Sequence, residues 1–319
     1  MRAKRLALTA TLLWPVLSAA QAPVEPANGV WSRLQNFPEL RTEVAVATDG
    51  RVLYVAGGFG INGAAPRAVL SYDPSTDRWT AIAELPEGLN HAGLAALDGR
   101  LYVVGGYRET GSTPTGAVRV LDLASKRWSD AAPLPTPRGA LAVAVLAGRI
   151  HAVGGRDGRA SVGTHEVFDP RDGRWQTLAS MPTPRDHLGA AVVDGKLYAL
   201  GGRIGGDMML TAAEMFDPST GTWRAIAPLP TGRSGIAVVA AGGRVYVFGG
   251  ETFGLVTKTF DEAEAFDPTT GRWRRLPPMP SPRHGLGAAA IGEALYLVLG
   301  GPRPGLHYSD TVERLVPAR

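Results

Sequence analysis

The chain repeats one pattern six times, with a spacing of about 48 residues. Six glycine pairs, at 57–58, 105–106, 154–155, 201–202, 249–250 and 300–301, lie 48, 49, 47, 48 and 51 residues apart. Six tryptophans, Trp31, Trp79, Trp128, Trp175, Trp223 and Trp273, lie 48, 49, 47, 48 and 50 residues apart. A fixed period of this size is typical of a solenoid or a propeller.

Each unit contains four segments that alternate between apolar and polar residues and end at turn residues. In the third unit these segments are 139–146, 149–155, 164–170 and 174–182, and glycine or charged residues separate them. Such alternation between glycine-containing turns indicates antiparallel strands. Four strands in about 48 residues predict a propeller blade, so the whole repeat predicts an all-β, six-bladed β-propeller.

The two ends of the repeat complement each other. Trp31 has no glycine pair before it, and the last third strand, TVERLVP at 311–317, has no tryptophan strand after it. The N-terminal segment VWSRLQNFP, at 30–38, is therefore predicted to supply the fourth strand of the last blade. This closure leaves no unpaired blade at the seam and predicts one propeller domain over residues 23–319.

A second recurring element is an aromatic residue before Asp-Pro, with the tryptophan seven residues later. It reads YDP at 72–74 and FDP at 168–170, 216–218 and 266–268, whereas unit two departs with LDL at 121–123. Together with the glycine pairs, this pattern resembles the kelch repeat, and the resemblance covers about 30–319. It implies a kelch-type propeller, and kelch relatives commonly act in protein interaction.

The first 22 residues have the features of a secretory signal peptide. Three basic residues precede an apolar run at 6–17, and small residues follow at 20 and 22. The alternative is a membrane anchor, but a span needs roughly 20 apolar residues and Pro15 interrupts this run. We therefore expect an exported protein, periplasmic or extracellular, with no membrane span once 1–22 are removed.

Charge and cysteine content exclude several classes of function. Residues 1–22 hold three basic and no acidic side chains, so 30 basic and 29 acidic residues remain in 23–319. A balanced charge gives no reason to expect a nucleic-acid partner. The chain has no cysteine, which excludes disulfides, thiolate zinc sites and thiol catalysis. It also excludes the cysteine–tyrosine crosslink of the copper-radical oxidases that contain kelch propellers.

The connection from strand 4 to the next strand 1 carries a recurrent P-x-x-R phrase. Aligned on the tryptophans, its last position holds Arg41, Leu89, Arg138, Arg185, Arg233 and Arg283, and Arg156 and Arg203 directly follow glycine pairs. These residues share a face with the 2–3 loops, where the length variation of the repeat is concentrated. We predict that the seven arginines bind an acidic peptide, an anionic glycan or an anionic small molecule. The alternative is structural pairing with the strand-3 glutamates Glu166, Glu214, Glu264 and Glu313.

Catalytic motifs are weak. A metal site across the mouth from His91, His187 and His284 is one possibility, and acid–base catalysis by 2–3 loop carboxylates is another. These carboxylates are Glu109, Glu251, Asp261 and Glu262. No nucleophile motif is present, and we expect no cofactor and no metal.

The first functional hypothesis is therefore a non-catalytic, monomeric binding module. The second rests on resemblance: export and six kelch blades are similar to the bacterial N-acetylneuraminate epimerases, which implies a sugar mutarotase, although no catalytic residue can be carried over. The third is a structural propeller without a small ligand. A compact pocket in which an arginine meets a carboxylate would favour the enzyme, and a broad face would favour a protein partner.

Overall fold

Six four-stranded antiparallel sheets, in chain order blades 1 to 6, surround one axis in the computed structural model, which describes residues 25–109, 112–206 and 208–318. This architecture confirms the predicted six-bladed propeller. The innermost strands line the axial channel with small apolar side chains from all six blades, as their alanine- and glycine-rich sequences require.

The strands follow the same order in every blade, from the axis outward. The first strands are Ala45–Thr48, Gly93–Leu97, Ala142–Leu146, Gly189–Val193, Ala237–Ala241 and Gly287–Ile291. The second strands are Leu53–Ala56, Arg100–Val104, Arg149–Val153, Lys196–Leu200, Arg244–Phe248 and Ala294–Val298. The third strands are Ala68–Asp73, Val118–Asp122, His165–Asp169, Ala213–Asp217, Ala263–Asp267 and Val312–Pro317. The fourth strands are Arg78–Glu84, Trp128–Asp130, Arg174–Leu178, Thr222–Ala225, Arg272–Arg275 and, for blade 6, Gly29–Arg33.

Short elements lie in the loops and at the N-terminus. They are the strands Glu25–Pro26, Leu89–Asn90, Tyr107–Arg108, Arg203–Ile204, Met208–Met209, Glu251–Thr252 and Lys258–Thr259, and the 3-10 helix Ile61–Gly63. Within the described ranges, no helix is long and apolar enough to cross a membrane. The predicted signal peptide lies outside these ranges and stays a prediction.

Blade 6 is closed by the N-terminal strand, as the sequence predicts. Gly29–Arg33 pairs antiparallel with Val312–Pro317, and Trp31 lies opposite Leu315. The preceding Glu25–Pro26 adds a parallel fifth strand to blade 5, beside Arg272–Arg275. The N-terminal segment therefore binds both blades at the seam and covers the outer edge of blade 5.

The recurrent tryptophans connect neighbouring blades. Trp175, for example, packs its ring 5.3 Å from that of Phe168 in its own blade, and its Nε1 donates to Ala132 O of the preceding blade at 2.8 Å. Trp31, Trp79, Trp223 and Trp273 make the equivalent hydrogen bond. The buried Trp128 Nε1 has no hydrogen-bond partner within residues 25–109, 112–206 and 208–318. The equivalent acceptor residue in blade 1, Ala83, is paired with Val69 next to a register shift.

The glycine pairs lie where one blade meets the next. At Gly249 and Gly250 the φ angles are 59° and 105°, and a Cβ on Gly249 would lie 2.2 Å from Arg283 O of the following blade. In blade 6 the same two conformations fall on Leu299 and Gly300, with φ of 63° and 95°. The sequence interpretation, which aligned 300–301 with the other pairs, is one residue out of register, and this explains the irregular spacing of 51.

Candidate functional site at the mouth of the propeller

The P-x-x-R arginines are inside the protein. Arg185 is fully buried, and its Nη1 donates to Glu214 Oε2 at 2.6 Å and to Thr183 O at 2.8 Å. Its Nη2 donates to Ala199 O at 2.9 Å. Its own carbonyl accepts from the N–H of Gly155 in the preceding blade. Each such arginine therefore joins the glycine pair of one blade to the second and third strands of the next.

The same arrangement recurs in three more blades and is altered in two. Arg138, Arg233 and Arg283 are fully buried and pair with Glu166, Glu264 and Glu313. In blade 1, Arg41 pairs with Glu39, whose side chain is 44% exposed. In blade 2, Leu89 replaces the arginine, and the charges are exchanged: Arg119 of the third strand contacts Glu87 of the connection at 2.6 Å.

The predicted ligand-binding arginines thus fall into two groups. The five fully buried guanidinium groups have protein partners, which is the structural alternative considered above, and their binding of a ligand stays a prediction. Arg156 and Arg203 lie at the mouth with part of their surface exposed. Burial raises the pKa of the Tyr107 hydroxyl to about 12, and the positive charges of Arg156 and Arg203 oppose this increase.

A closed ring of backbone hydrogen bonds forms the floor of the mouth. One residue from each blade contributes, two positions after the arginine position: Glu43, His91, Ala140, His187, Gly235 and Gly285. All six have φ between 51° and 62°. Each N–H donates to the carbonyl of the ring residue in the preceding blade, at 2.7–3.3 Å. The ring lines a cavity of about 90 Å³.

On one side of the mouth, Arg203 holds a hydrogen-bonded network. Its Nε lies 3.3 Å from Asp186 Oδ1, its Nη1 lies 3.4 Å from Glu251 Oε1, and its Nη2 donates to His187 Nε2 at 3.0 Å. The other nitrogen of that imidazole, Nδ1, lies 2.6 Å from Asp186 Oδ1. Because Arg203 donates to Nε2, the His187 proton is on Nδ1 and is donated to Asp186.

On the other side, Glu43 lies between two histidines. His91 Nε2 is 3.3 Å from Glu43 Oε2, and His284 Nδ1 is 3.4 Å from Glu43 Oε1. His284 Nδ1 is also 3.3 Å from Glu251 Oε2, which accepts a hydrogen bond from Gly305 N. His91 Nδ1 lies 2.7 Å from Asn90 Oδ1, so Nε2 is the nitrogen that faces the carboxylate.

Burial and close charges shift the pKa values of these groups in different directions. Burial raises the pKa of Glu251, and burial lowers that of His91 to about 4. Burial also opposes ionisation of Glu43 and Asp186, but neighbouring histidines lower both pKa values, that of Asp186 to about 2. Burial would lower the His284 pKa, but the negative charges of the nearby Glu43 and Glu251 carboxylates outweigh it, and this pKa is raised. Such divergence in one cleft is typical of functional sites.

Comparison with known families assigns the repeat. A family model described as the KLHDC2/KLHL20/DRC7 Kelch-repeats domain matches residues 24–181 and 177–301. The chain belongs to this Kelch-repeat family. Kelch propellers mediate protein interactions. No functionally curated protein matches the chain significantly.

The mouth face of this kelch propeller also carries most of its exposed apolar side chains. Of eight large hydrophobic residues that are exposed in the described ranges, six lie in the 2–3 loops or the 4–1 connections: Leu40, Ile61, Met208, Leu255, Val256 and Leu306. We call these six residues the apolar rim. The other two, Val30 and Val316, are paired neighbours in the outer strands of blade 6.

Sequence reasoning identified part of this site. Glu251 and the three histidines were singled out, but the structure places His91 and His187 together, with ring centroids 4.8 Å apart, and His284 on the far side of Glu43. Glu262 contacts Lys258 instead, and the Glu109 carbonyl accepts from Asn90. Glu43 and Asp186 were missed. Their signal was available: they occupy the two positions that directly follow the repeated arginine.

Proposed function

We propose that the protein is an interaction module that binds a protein partner through the mouth face. The observation that carries this proposal is the concentration of the apolar rim on that face. Leu255 is fully exposed, and Met208, Val256 and Leu306 each have more than 60% of their surface exposed. Exposed apolar side chains grouped around a polar centre are typical of protein-interaction surfaces.

The side chains within the rim favour an acidic segment in the partner. Arg156 has no carboxylate partner in the described part of the chain, and its Nη2 donates only to Arg159 O. Arg203, in contrast, is already neutralised by Asp186 and Glu251. We therefore assign recognition of an acidic side chain to Arg156 and the apolar contacts to the rim.

The test uses three synthetic 12-residue peptides with the same leucine positions and glutamate, serine or lysine elsewhere. Fluorescence anisotropy should show the strongest binding for the glutamate peptide. Leu255→Ser/Val256→Ser should weaken that binding roughly tenfold, because truncation of an apolar residue that an interface buries can cost more than about 1 kcal/mol. Val30→Ser, on the outer edge of blade 6, is the matched control and should bind normally. Equal binding of all three peptides, or unchanged binding by the double variant, would contradict the proposal.

A second candidate is a sugar mutarotase, and it rests on the contact between Arg203 and Glu251. Ring opening at an anomeric centre needs a proton donor and acceptor, and a sugar acid also needs a cation for its carboxylate. Glu251 has a raised pKa and lies 3.4 Å from the Arg203 guanidinium. Exchange between the anomers of N-acetylneuraminate, followed by NMR, tests this activity directly. Catalysed exchange that Glu251→Gln abolishes would favour the enzyme, and exchange at the spontaneous rate would eliminate it for this sugar.

A further inference from the structure

Two carboxylates and one imidazole nitrogen converge at the seam side of the mouth without satisfying one another. His284 has 1% of its surface exposed, and among the described residues neither of its ring nitrogens has a partner with hydrogen-bond geometry. Its Nδ1 nevertheless faces Glu43 Oε1 at 3.4 Å and Glu251 Oε2 at 3.3 Å. A buried nitrogen that faces two carboxylate oxygens without a hydrogen bond is a position where a bound water or a cation completes the contacts.

The spacing of these three atoms fits a metal ion. Metal–ligand bonds of about 2.0–2.2 Å in a tetrahedral site put neighbouring ligand atoms roughly 3.3–3.6 Å apart. The two distances from His284 Nδ1 fall at this value, and all three ligand atoms lie within 4.8 Å of one another. An imidazole with two carboxylates is a donor set suited to divalent first-row transition ions such as Zn²⁺.

The surrounding residues hold this arrangement in place. Glu251 Oε2 accepts from Gly305 N at 3.0 Å, and Glu251 Oε1 lies 3.4 Å from Arg203 Nη1. Two glycines leave the room that the side chains need. A Cβ on Gly285 would lie 2.5 Å from Glu43 Oε1, and a Cβ on Gly301 would lie 2.5 Å from His284 Nε2. Outer contacts of this kind orient the ligands of metal sites.

A second group of possible ligands at the mouth, Glu43 with His91 and His187, is less suitable. His187 already uses both ring nitrogens, Nδ1 toward Asp186 and Nε2 toward Arg203. An ion there would have to displace the guanidinium group. His284 requires no such displacement, because its nitrogens have no hydrogen-bond partner in the described part of the chain.

We propose that Glu43, Glu251 and His284 form a binding site for one divalent transition-metal ion, with Zn²⁺ as the best-suited ion. Three protein ligands leave a tetrahedral ion one position for water or another ligand. The site shares no residue with the apolar rim, so peptide binding and metal binding can be tested with separate variants.

Isothermal titration calorimetry of the untagged, EDTA-treated protein with ZnCl₂ tests the proposal, with MgCl₂ as the comparison. We expect one Zn²⁺ per chain, weaker or no binding of Mg²⁺, and release of protons, because the imidazole must bind as the neutral base. Glu251→Gln and His284→Ala should each weaken Zn²⁺ binding at least tenfold. His307→Ala, which removes an exposed histidine of blade 6, should bind as the wild type does.

Three results would overturn the proposal: no Zn²⁺ binding by the folded wild type, unchanged binding by Glu251→Gln, or complete loss in His307→Ala. If His284→Ala does not fold, Gly285→Ala replaces it, because the added Cβ displaces the Glu43 carboxylate and should weaken Zn²⁺ binding at least tenfold. Unchanged binding by folded Gly285→Ala would also count against the site. Absence of binding would mean that a proton on His284 alone lies between the two carboxylates.

Discussion

The arginine layer and the mouth are adjacent in sequence and in space, but they behave in opposite ways across the six blades. The arginine position is nearly constant: five blades have a buried arginine that contacts a carboxylate. The next two positions differ in every blade: Thr42-Glu43, Asn90-His91, Gly139-Ala140, Asp186-His187, Ser234-Gly235 and His284-Gly285. Polar residues that recur at the same position in most blades connect neighbouring blades. Polar residues that differ from blade to blade form the mouth.

The reason is physical. A buried charge needs a partner of opposite charge. When the same buried charge recurs from blade to blade, its partner must recur with it, as in the pair of Arg185 and Glu214. A site on the axis has no such constraint, because each blade contributes one side of a single cavity. Its residues can therefore differ, as Glu43, His187 and Ala140 do in the same backbone ring.

The largest expected effect is in the arginine layer. Arg185→Ala leaves the carboxylate of Glu214 buried without its charged partner, so the free energy of unfolding should fall by about 3–5 kcal/mol. Chemical denaturation measures this change. The double variant Arg185→Met/Glu214→Leu is the control, because removal of both charges should restore much of the stability. A loss below about 1 kcal/mol in the single variant would show that the pair is not structural.

Acid should act in opposite directions on the buried histidines of blade 3 and on His284 of the mouth. His151 and His165 are buried in blade 3, and burial lowers their pKa values to about 4 and 3. The unfolded chain therefore binds more protons below pH 6.5, and the stability contributed by these neutral histidines is lost as pH falls toward 4. The raised pKa of His284 works in the opposite direction: its contribution is present below about pH 6.5 and is lost as pH rises.

Denaturation curves between pH 4 and 8 test both contributions. The wild type should lose roughly 3 kcal/mol for each of the two blade 3 histidines between pH 6.5 and 4, at about 1.4 kcal/mol for each unit of pKa shift. His151→Gln should make this dependence shallower. His284→Gln should make it steeper, since the variant lacks the group that favours folding at low pH. The same pH dependence in all three proteins would contradict these assignments.

Arg41 tests whether a buried carboxylate partner accounts for most of the stability that is lost when an arginine of this layer is removed. Its partner Glu39 is 44% exposed and remains solvated when the arginine is removed. Arg41→Ala should therefore cost less than Arg185→Ala, about 1–3 kcal/mol, chiefly for the carbonyls of Gly57 and Ala68 that lose a donor. If chemical denaturation showed a larger loss of unfolding free energy for Arg41→Ala than for Arg185→Ala, this explanation would be wrong.

The smallest effects on stability are expected in the ring. Gly235 and Gly285 have nearly the same backbone conformation, so the left-handed φ alone should cost alanine about 1 kcal/mol at either position. The added Cβ of Gly285→Ala also lies 2.5 Å from Glu43 Oε1 and 2.6 Å from Thr42 Oγ1, whereas that of Gly235→Ala meets nothing closer than 3.3 Å. Thermal unfolding should therefore show a larger loss in Gly285→Ala, and the pKa of His91, followed by NMR, should change only in that variant. A shift in both would mean that the ring itself, and not the carboxylate, sets that pKa.

The blades and their closure could be predicted from the sequence because the repeat places the same local signal in every unit. One exception shows the limit of the pattern: in blade 6, Leu299 adopts the left-handed conformation that glycine has elsewhere, so the visible glycine pair is displaced by one residue. The arginines could be aligned, but their burial depends on glutamates about 30 residues away in sequence. Several residues of the mouth could be singled out from the sequence, but not their contacts, because Glu43, Asp186 and His284 converge from distant parts of the chain.

The closure of blade 6 also sets the order in which the protein can be completed. Gly29–Arg33 precedes all six first strands, whereas the strand that it joins, Val312–Pro317, is the last of the described strands to be made. The hydrogen-bonded ring crosses the same seam, through Glu43 N and Gly285 O. Contacts so distant in sequence are slow to form. The mouth should therefore form only when folding is complete. A chain without its last strand would lack both the binding face and the buried charged groups of the mouth.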